Sequence, residues 1–282
     1  MNLRELSLPR GWYPRESGAI SEFLAPFSNT ARSASAIAAI APHASWHYSG
    51  VPAAMAVSSL DRDAETLAVI GGHLPLGAPV LLAAEDGVKT PLGVMQIDRE
   101  LRDDFIERIQ AEFNPACADT FEDNTVEVLL PMARYFFPRA ALLWVRLPAE
   151  LSSRRAGELL AESAACLKRR VAVLASTDLT HYGDNYGYSP QGRGKAALDW
   201  VKNVNDAAFI AAILANDPAR ALKLAEESFA ACSAGAVLGA MGFAGSLGRA
   251  KPRLLDYRTS ADGNAAGETP DSFVGYAAVA FE

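Results

Sequence analysis

Four short apolar runs, each halted by glycine, proline or a polar turn, set the rhythm of the chain. They are Ala36–Ala41, Thr66–Gly71, Ala140–Leu147 and Val171–Thr177. Short continuous runs of Ala, Val, Ile and Leu read as strands buried on both faces, the pattern of a parallel sheet. Between and after them lie stretches with helical periodicity: Val51–Leu60, Arg99–Phe113, Leu151–Arg169, Ala196–Ala215, Ala219–Phe229 and Ala231–Leu247. In Arg99–Phe113, Leu101, Phe105, Ile106 and Ile109 share one face, and Asp98 is placed to cap the first turn. Weaker signals add a short helix near Ile20–Phe27, a strand at Val80–Ala84 and a turn at Lys89–Gly93. A hairpin arm follows at Val94–Ile97, and closing strands at Leu254–Tyr257 and Phe273–Phe281. No repeat or linker interrupts this alternation. The expectation is one α/β domain over residues 1–282, with a mostly parallel or mixed central sheet and helices on both faces.

Three of the four histidines follow strand ends. His43 comes just after Ala36–Ala41, beyond Pro42, which cannot donate to a neighbouring ladder. His73 follows Gly71 and Gly72. His181 follows Val171–Thr177, with Asp178 three residues before it. In open α/β sheets ligands bind beyond the carboxyl ends of the strands, so neighbouring strands would bring these three imidazoles to one edge. Neutral imidazoles suit iron, zinc and copper. A carboxylate such as Asp178 either orients a ring or joins the ligands. Cys232 begins a small-residue helix, where the dipole favours thiolate, although buried free cysteines also serve as small core residues. His47 is assigned a surface or supporting role. Trp12 and Tyr13 read as core aromatics, and the polar cluster Glu122–Glu127 as solvated surface.

Composition narrows the classes. The chain has 282 residues, 50% of them hydrophobic, and a net charge of -7. It carries no basic stripe, which argues against nucleic acid as a partner. No apolar run reaches the roughly 18 residues a membrane span needs. Cys117, Cys166 and Cys232 lie far apart with no CxxC spacing, which fits a reducing compartment. The first residues lack an apolar signal core, and a cytoplasmic location is expected. The expected partner is a small-molecule or peptide ligand in the pocket, and nothing in the chain sets an oligomeric state.

Several motifs occur in a recognisable order. Arg10-Gly-Trp-Tyr-Pro14 opens the series. Pro42-His-Ala-Ser-Trp-His-Tyr-Ser-Gly50 follows, then Gly71-Gly-His-Leu-Pro75, Thr90-Pro-Leu-Gly93 and Ser176-Thr-Asp-Leu-Thr-His-Tyr-Gly183. Tyr257-x-Thr-Ser260 and Val274-Gly-Tyr276 close it. Together they resemble the Memo family, which includes the bacterial AmmeMemoRadiSam system protein B. Three positions depart from the family pattern. Gly72 stands where the first of two adjacent histidines is usual, Asn124 where another histidine is usual, and Ser233 where glycine follows the cysteine.

The resemblance implies a fold similar to the class III extradiol ring-cleavage dioxygenases. By position it makes His43 and His73 metal ligands and Cys232 the third. His181 becomes the acid/base, with Asp178 beside it. The cofactor implied is a divalent metal, iron first. A thiolate is softer than a carboxylate and brings copper and zinc into range. The resulting expectation is a non-heme metal oxidoreductase. The alternative is a non-catalytic metal- or peptide-binding signalling or scaffold protein. A metal-free hydrolase with Cys232 as nucleophile, His181 as base and Asp178 as orienter is allowed by residue types but supported by no hydrolase motif.

Overall fold

A computed structural model describes residues 1–28, 35–112, 115–249, 251–263 and 269–282. Its centre is a nine-stranded mixed sheet. From one edge the strands run His181–Gly183, Ser272–Phe281, Ala38–Ala41, Val171–Ser176, Thr66–Leu74, Ala141–Pro148, Val80–Leu82 and Ala116–Ala118, with Pro252–Thr259 also paired to Ser272–Phe281. The four predicted apolar runs are the four adjacent parallel strands in the middle. Ser272–Phe281 and Val80–Leu82 flank them antiparallel.

Alternation explains why these runs are apolar throughout. Ile40, Ile70, Val145 and Val173 face one core, under the helices Arg99–Glu112, Ser152–Cys166 and Ala234–Ser246. Ala39, Val69, Trp144 and Leu174 face a second core, under Ser17–Leu24, Trp46–Ser59 and Leu130–Phe136. Successive side chains point to opposite faces, and both faces are covered. The small residues of Ala234–Ser246 have a packing cause. A methyl on Gly157 would stand 2.8 Å from the carbonyl carbon of Gly239, so the two helices touch backbone to backbone.

Boundaries moved where tertiary contacts outweigh local signals. The helix expected from Val51 begins at Trp46 and contains Pro52. The Trp46 N–H donates to the Trp12 carbonyl (2.8 Å), and its indole donates to the Val128 carbonyl (2.9 Å), which starts the helix early. The stretch Ala196–Ala215 is not one regular helix: Val201–Asn205 is a π-helical turn between Lys195–Trp200 and Asp206–Leu214. Asp98 caps Arg99–Glu112 through the Leu101 N–H (3.1 Å). Phe113, the predicted end of that helix, lies outside the described residues. Met95–Gln96 returns antiparallel to Gly87–Val88 in a separate three-stranded sheet. Among the described residues no helix is long and apolar enough to cross a membrane.

Candidate functional site

The carboxyl ends of the central strands carry the candidate residues to one edge. His43 lies in the loop after Ala38–Ala41 and is buried. Its backbone N–H donates to Asp178 Oδ1 (2.7 Å), and its carbonyl accepts from Asn124 Nδ2 (2.9 Å). Its Nδ1 sits 2.5 Å from Ser176 Oγ, and its Nε2 lies 3.2 Å from Cys232 Sγ. His73 is not in a loop beyond its strand. The strand continues to Leu74, and a register irregularity between Gly71 and Leu74 puts His73 in a bulge with φ 56°. A left-handed conformation is costly for a residue with a Cβ, and the surroundings hold it there. The two imidazoles stand edge to face, 4.9 Å between centroids. One donor atom from each of His43, His73 and Cys232 lies within 4.8 Å of the others.

A charged network aims His73. Its Nδ1 lies 3.0 Å from Asp123 Oδ2, and Asp123 is gripped in turn by Arg146 (3.2 Å). Arg146 also donates to the Gly72 carbonyl (3.0 Å) and pairs with the buried Asp119 (3.3 Å), to which the Trp144 indole donates (2.8 Å). The expectation that Glu122–Glu127 is solvated surface is therefore corrected. Asp123 caps the short helix Asn124–Glu127 through the Thr125 N–H, and Glu127 is buried, accepting from Ser7, Leu8 and Tyr13. Tyr13 is a core aromatic as expected, whereas Trp12 lines the cavity above the site. Asp119, Asp123 and Arg146 went unread as functional in the sequence. The one available signal was an arginine inside the apolar run Ala140–Leu147.

The cluster stabilises its own charges. Burial opposes a thiolate at Cys232, but His43 and His73 outweigh it and hold the thiol well below its ordinary range. Burial likewise opposes a cation at His73, but Asp123 and Cys232 raise it to about 10. Asp123 itself is held down at about 2: burial works against its charge, and His73, Thr125 and Arg146 overcome it. The dipole explanation for Cys232 needs adjustment, because the helix starts at Ala234 behind Ser233. The imidazoles, not the helix, are the main cause. Two imidazoles whose Nδ1 atoms are already engaged, plus a thiolate, form a donor set that fits a borderline divalent metal.

Two of the departures from the family pattern touch each other. A Cβ on Gly72 would lie 2.5 Å from Ser233 Oγ and 2.9 Å from Ser233 Cα. Ser233 thus fills the space that a side chain at position 72 would need. The third departure, Asn124, holds the His43 carbonyl.

His181 opens the edge strand His181–Gly183 and joins His43, His73 and Asp178 in lining a cavity of about 760 Å³. Its Nδ1 lies 3.1 Å from the Leu179 carbonyl and therefore carries the proton, which leaves Nε2 as the acceptor. Tyr186 packs edge-on against the ring. The Asp178 carboxylate takes the His43 N–H and not the His181 ring, and burial raises it. The imidazole in hydrogen-bond contact with the Cys232 sulfur is His43, so a hydrolase relay running Cys232–His181–Asp178 is not the arrangement found. His47 is exposed, packs on Tyr48 and faces an adjoining groove.

The chain matches the Memo-like protein family over residues 4–280. It is 30% identical to a MEMO1 family protein of Pyrococcus abyssi, covering 92% of this chain and 91% of that one. It is 28% identical to a MEMO1 family protein of Pyrococcus horikoshii, covering 95% of each. Among solved structures it is similar to an uncharacterized protein from Escherichia coli K12, with a TM-score of 0.46 and 12% identity over 86% of this chain and 99% of that chain. With the family matched across nearly the whole chain, and its motifs gathered at one sheet edge, this protein belongs to the Memo family.

Proposed function

We propose that the protein is a non-heme metal-binding oxidoreductase of the class III extradiol dioxygenase type. His43, His73 and Cys232 would hold a divalent metal, iron first and copper or zinc next. The observation that carries this reading is the convergence of three donor atoms within 4.8 Å, with both histidines engaged on their outer nitrogens. When bound, the metal would supply Lewis-acid and redox chemistry at the cavity floor. The chain's own residues do the rest. Ser176 and Asp123 fix the two imidazole rings. Asp178 fixes the loop that carries His43. His181, with Nδ1 committed to a carbonyl, offers Nε2 to take a proton from a bound substrate and return it later. The ligand is a small molecule or peptide that fits between Trp12, Tyr48 and Tyr186. The three free cysteines support a reducing, cytoplasmic setting.

The test is metal content of protein prepared without a nickel column, by elemental analysis, with oxygen uptake measured on a catechol panel. One equivalent of iron or copper, lost in His43→Ala, supports the reading. A site indifferent to every divalent metal overturns it. A second reading, a binding protein that holds a peptide, draws on the exposed rim aromatics Tyr48 (53%) and Tyr186 (47%). Metal-loaded protein that consumes no oxygen with any catechol yet retains peptide at the cavity would favour it.

A further inference from the structure

Two family motifs, Tyr257-x-Thr-Ser260 and Val274-Gly-Tyr276, contribute nothing to the metal cluster. Both lead to one buried carboxylate, Asp206, which belongs to no motif recognised in the sequence. Asp206 is fully buried at the end of the π-helical turn Val201–Asn205. Such turns insert a residue and re-aim the side chains after it, often beside functional sites. Here the turn turns Asn205 and Asp206 inward onto Thr180, the residue before His181.

The contacts form a closed set. Asp206 Oδ1 accepts both the Thr180 N–H (3.1 Å) and the Thr180 hydroxyl (2.5 Å). Asp206 Oδ2 accepts the Tyr257 hydroxyl (2.8 Å). Asn205 Nδ2 donates to Thr180 Oγ1 (2.9 Å), so the hydroxyl proton is committed to Asp206. On the other side Gly275 brackets Thr180: Leu179 N–H donates to the Gly275 carbonyl (2.9 Å), and Gly275 N–H donates to the Thr180 carbonyl (3.0 Å). A Cβ on Gly275 would stand 2.9 Å from Asp206 Cγ, so only glycine lets that strand pass. Ser260 Oγ accepts the N–H of the neighbouring Val274 (3.0 Å).

The consequence falls on His181. Its Nδ1–H reaches the carbonyl of Leu179, two residues back. A side chain meets its own i−2 carbonyl only for a narrow range of conformations of the residue between, which is Thr180. We infer that Asp206 is the positioning residue for His181: by fixing Thr180 it fixes the ring and its tautomer, leaving Nε2 unprotonated toward the cavity. Its catalytic meaning rests on the reading of His181 as the proton-transfer group, but its geometry does not.

The test reads the tautomer directly. Full-length protein labelled with ¹⁵N-histidine is compared by NMR, above the histidine titration, as wild type, Asp206→Ala, Asp206→Asn and Thr180→Val. The His181 signals are assigned by their absence in His181→Gln, a tractable task with four histidines. Wild type shows His181 as the Nδ1–H form. Asp206→Ala, folded by near-UV circular dichroism, loses that form as its major species. Asp206→Asn keeps it, because an amide oxygen still accepts both Thr180 donors. Retention of the Nδ1–H form in folded Asp206→Ala overturns the inference. If Asp206→Ala does not fold, Thr180→Val decides: loss of the form supports the inference, and an unchanged tautomer overturns it. No metal or substrate is involved, so this result and the metal-content result fail separately.

Discussion

The two flanks of the site are built differently. On the His73 flank the side chain sits in a left-handed bulge, partly exposed, and is held by charge: Asp123 on its ring, Arg146 on Asp123, Asp119 on Arg146. On the His181 flank the ring is held by a backbone carbonyl, and the only carboxylate of its support, Asp206, stands behind Thr180. The difference follows from what each ring is asked to do. A metal ligand gains from a nearby carboxylate, which fixes the tautomer and strengthens the donor. A proton-transfer group needs a fixed ring but must give up its proton again, and a carboxylate directly on it would favour the protonated form. Strong charge is spent on the first flank and kept one residue away from the second.

Removing a donor on the charged flank should have the largest effect. His43→Ala or Cys232→Ala should abolish stoichiometric binding of a divalent metal, a loss on the order of a hundredfold or more in affinity, since neither leaves enough ligands to fill the site. Calorimetric titration checks this. His181→Gln should bind metal as wild type does. If His181→Gln loses the metal as well, the division between the flanks fails. Iodoacetamide labelling sharpens the point: metal should mask Cys232 while Cys117 and Cys166, both exposed, label equally with and without it.

The second effect concerns Asp206 and pH. Burial pushes its carboxyl up to about 6, against the hydrogen bonds from Thr180 and Tyr257. The folded state therefore keeps a proton that the unfolded chain, near 3.8, has released. Over that window the native state binds more protons, so this group's contribution to stability falls as pH rises, by about 3 kcal/mol in all. Asp206→Asn lacks the titration. Relative to Asp206→Asn, wild type should lose stability between pH 4.5 and pH 7.5 in urea melts. A difference that stays flat, or that grows in favour of wild type, contradicts the buried charge.

How much of this was legible beforehand divides along the same line. The strand ends carrying His43, His73 and His181 could be read from apolar runs and their punctuation, because a parallel strand covered on both faces leaves a local signature. The supports could not. Asp123 and Glu127 looked like surface because their partners, His73 and Tyr13, lie 50 and 114 residues away in sequence. Asp206 looked like part of a regular helix because an inserted π-turn residue leaves an Ala-rich pattern unchanged. The early start of the helix at Trp46 depended on acceptors at Trp12 and Val128. Sequence periodicity reports what faces a core, and says little about which distant group a buried polar atom will meet.

A smaller effect is expected from Asp123→Asn. The amide keeps the shape but loses the charge that strengthens the His73 donor and pairs with Arg146. Outer carboxylates of this kind contribute about 10–100-fold to metal affinity. Metal titration of Asp123→Asn should weaken by that amount with stoichiometry unchanged. Undiminished affinity would mean the bulge alone aims His73 and the charged network is incidental.

The smallest effect tests the seam between Gly72 and Ser233. Ser233 makes no side-chain cap to its helix, so Ser233→Gly removes little beyond its own packing and adds some chain entropy. Gly72→Ala alone would drive a methyl against Ser233 Oγ and Cα, beside Cys232, and overpacking of this kind costs about 1–2 kcal/mol. The hydroxyl can rotate aside but the Cα cannot, so part of the strain must pass into the backbone that carries Cys232. In the Ser233→Gly background the hydroxymethyl group is gone and most of the strain should disappear. A double-mutant cycle in urea should therefore show a favourable coupling of about 1–2 kcal/mol. Additive costs would show that the two positions changed independently. Coupled costs would make glycine at 72 and serine at 233 one exchange, and would identify Ser233→Gly as the background in which a histidine can be returned to position 72 without displacing the thiolate.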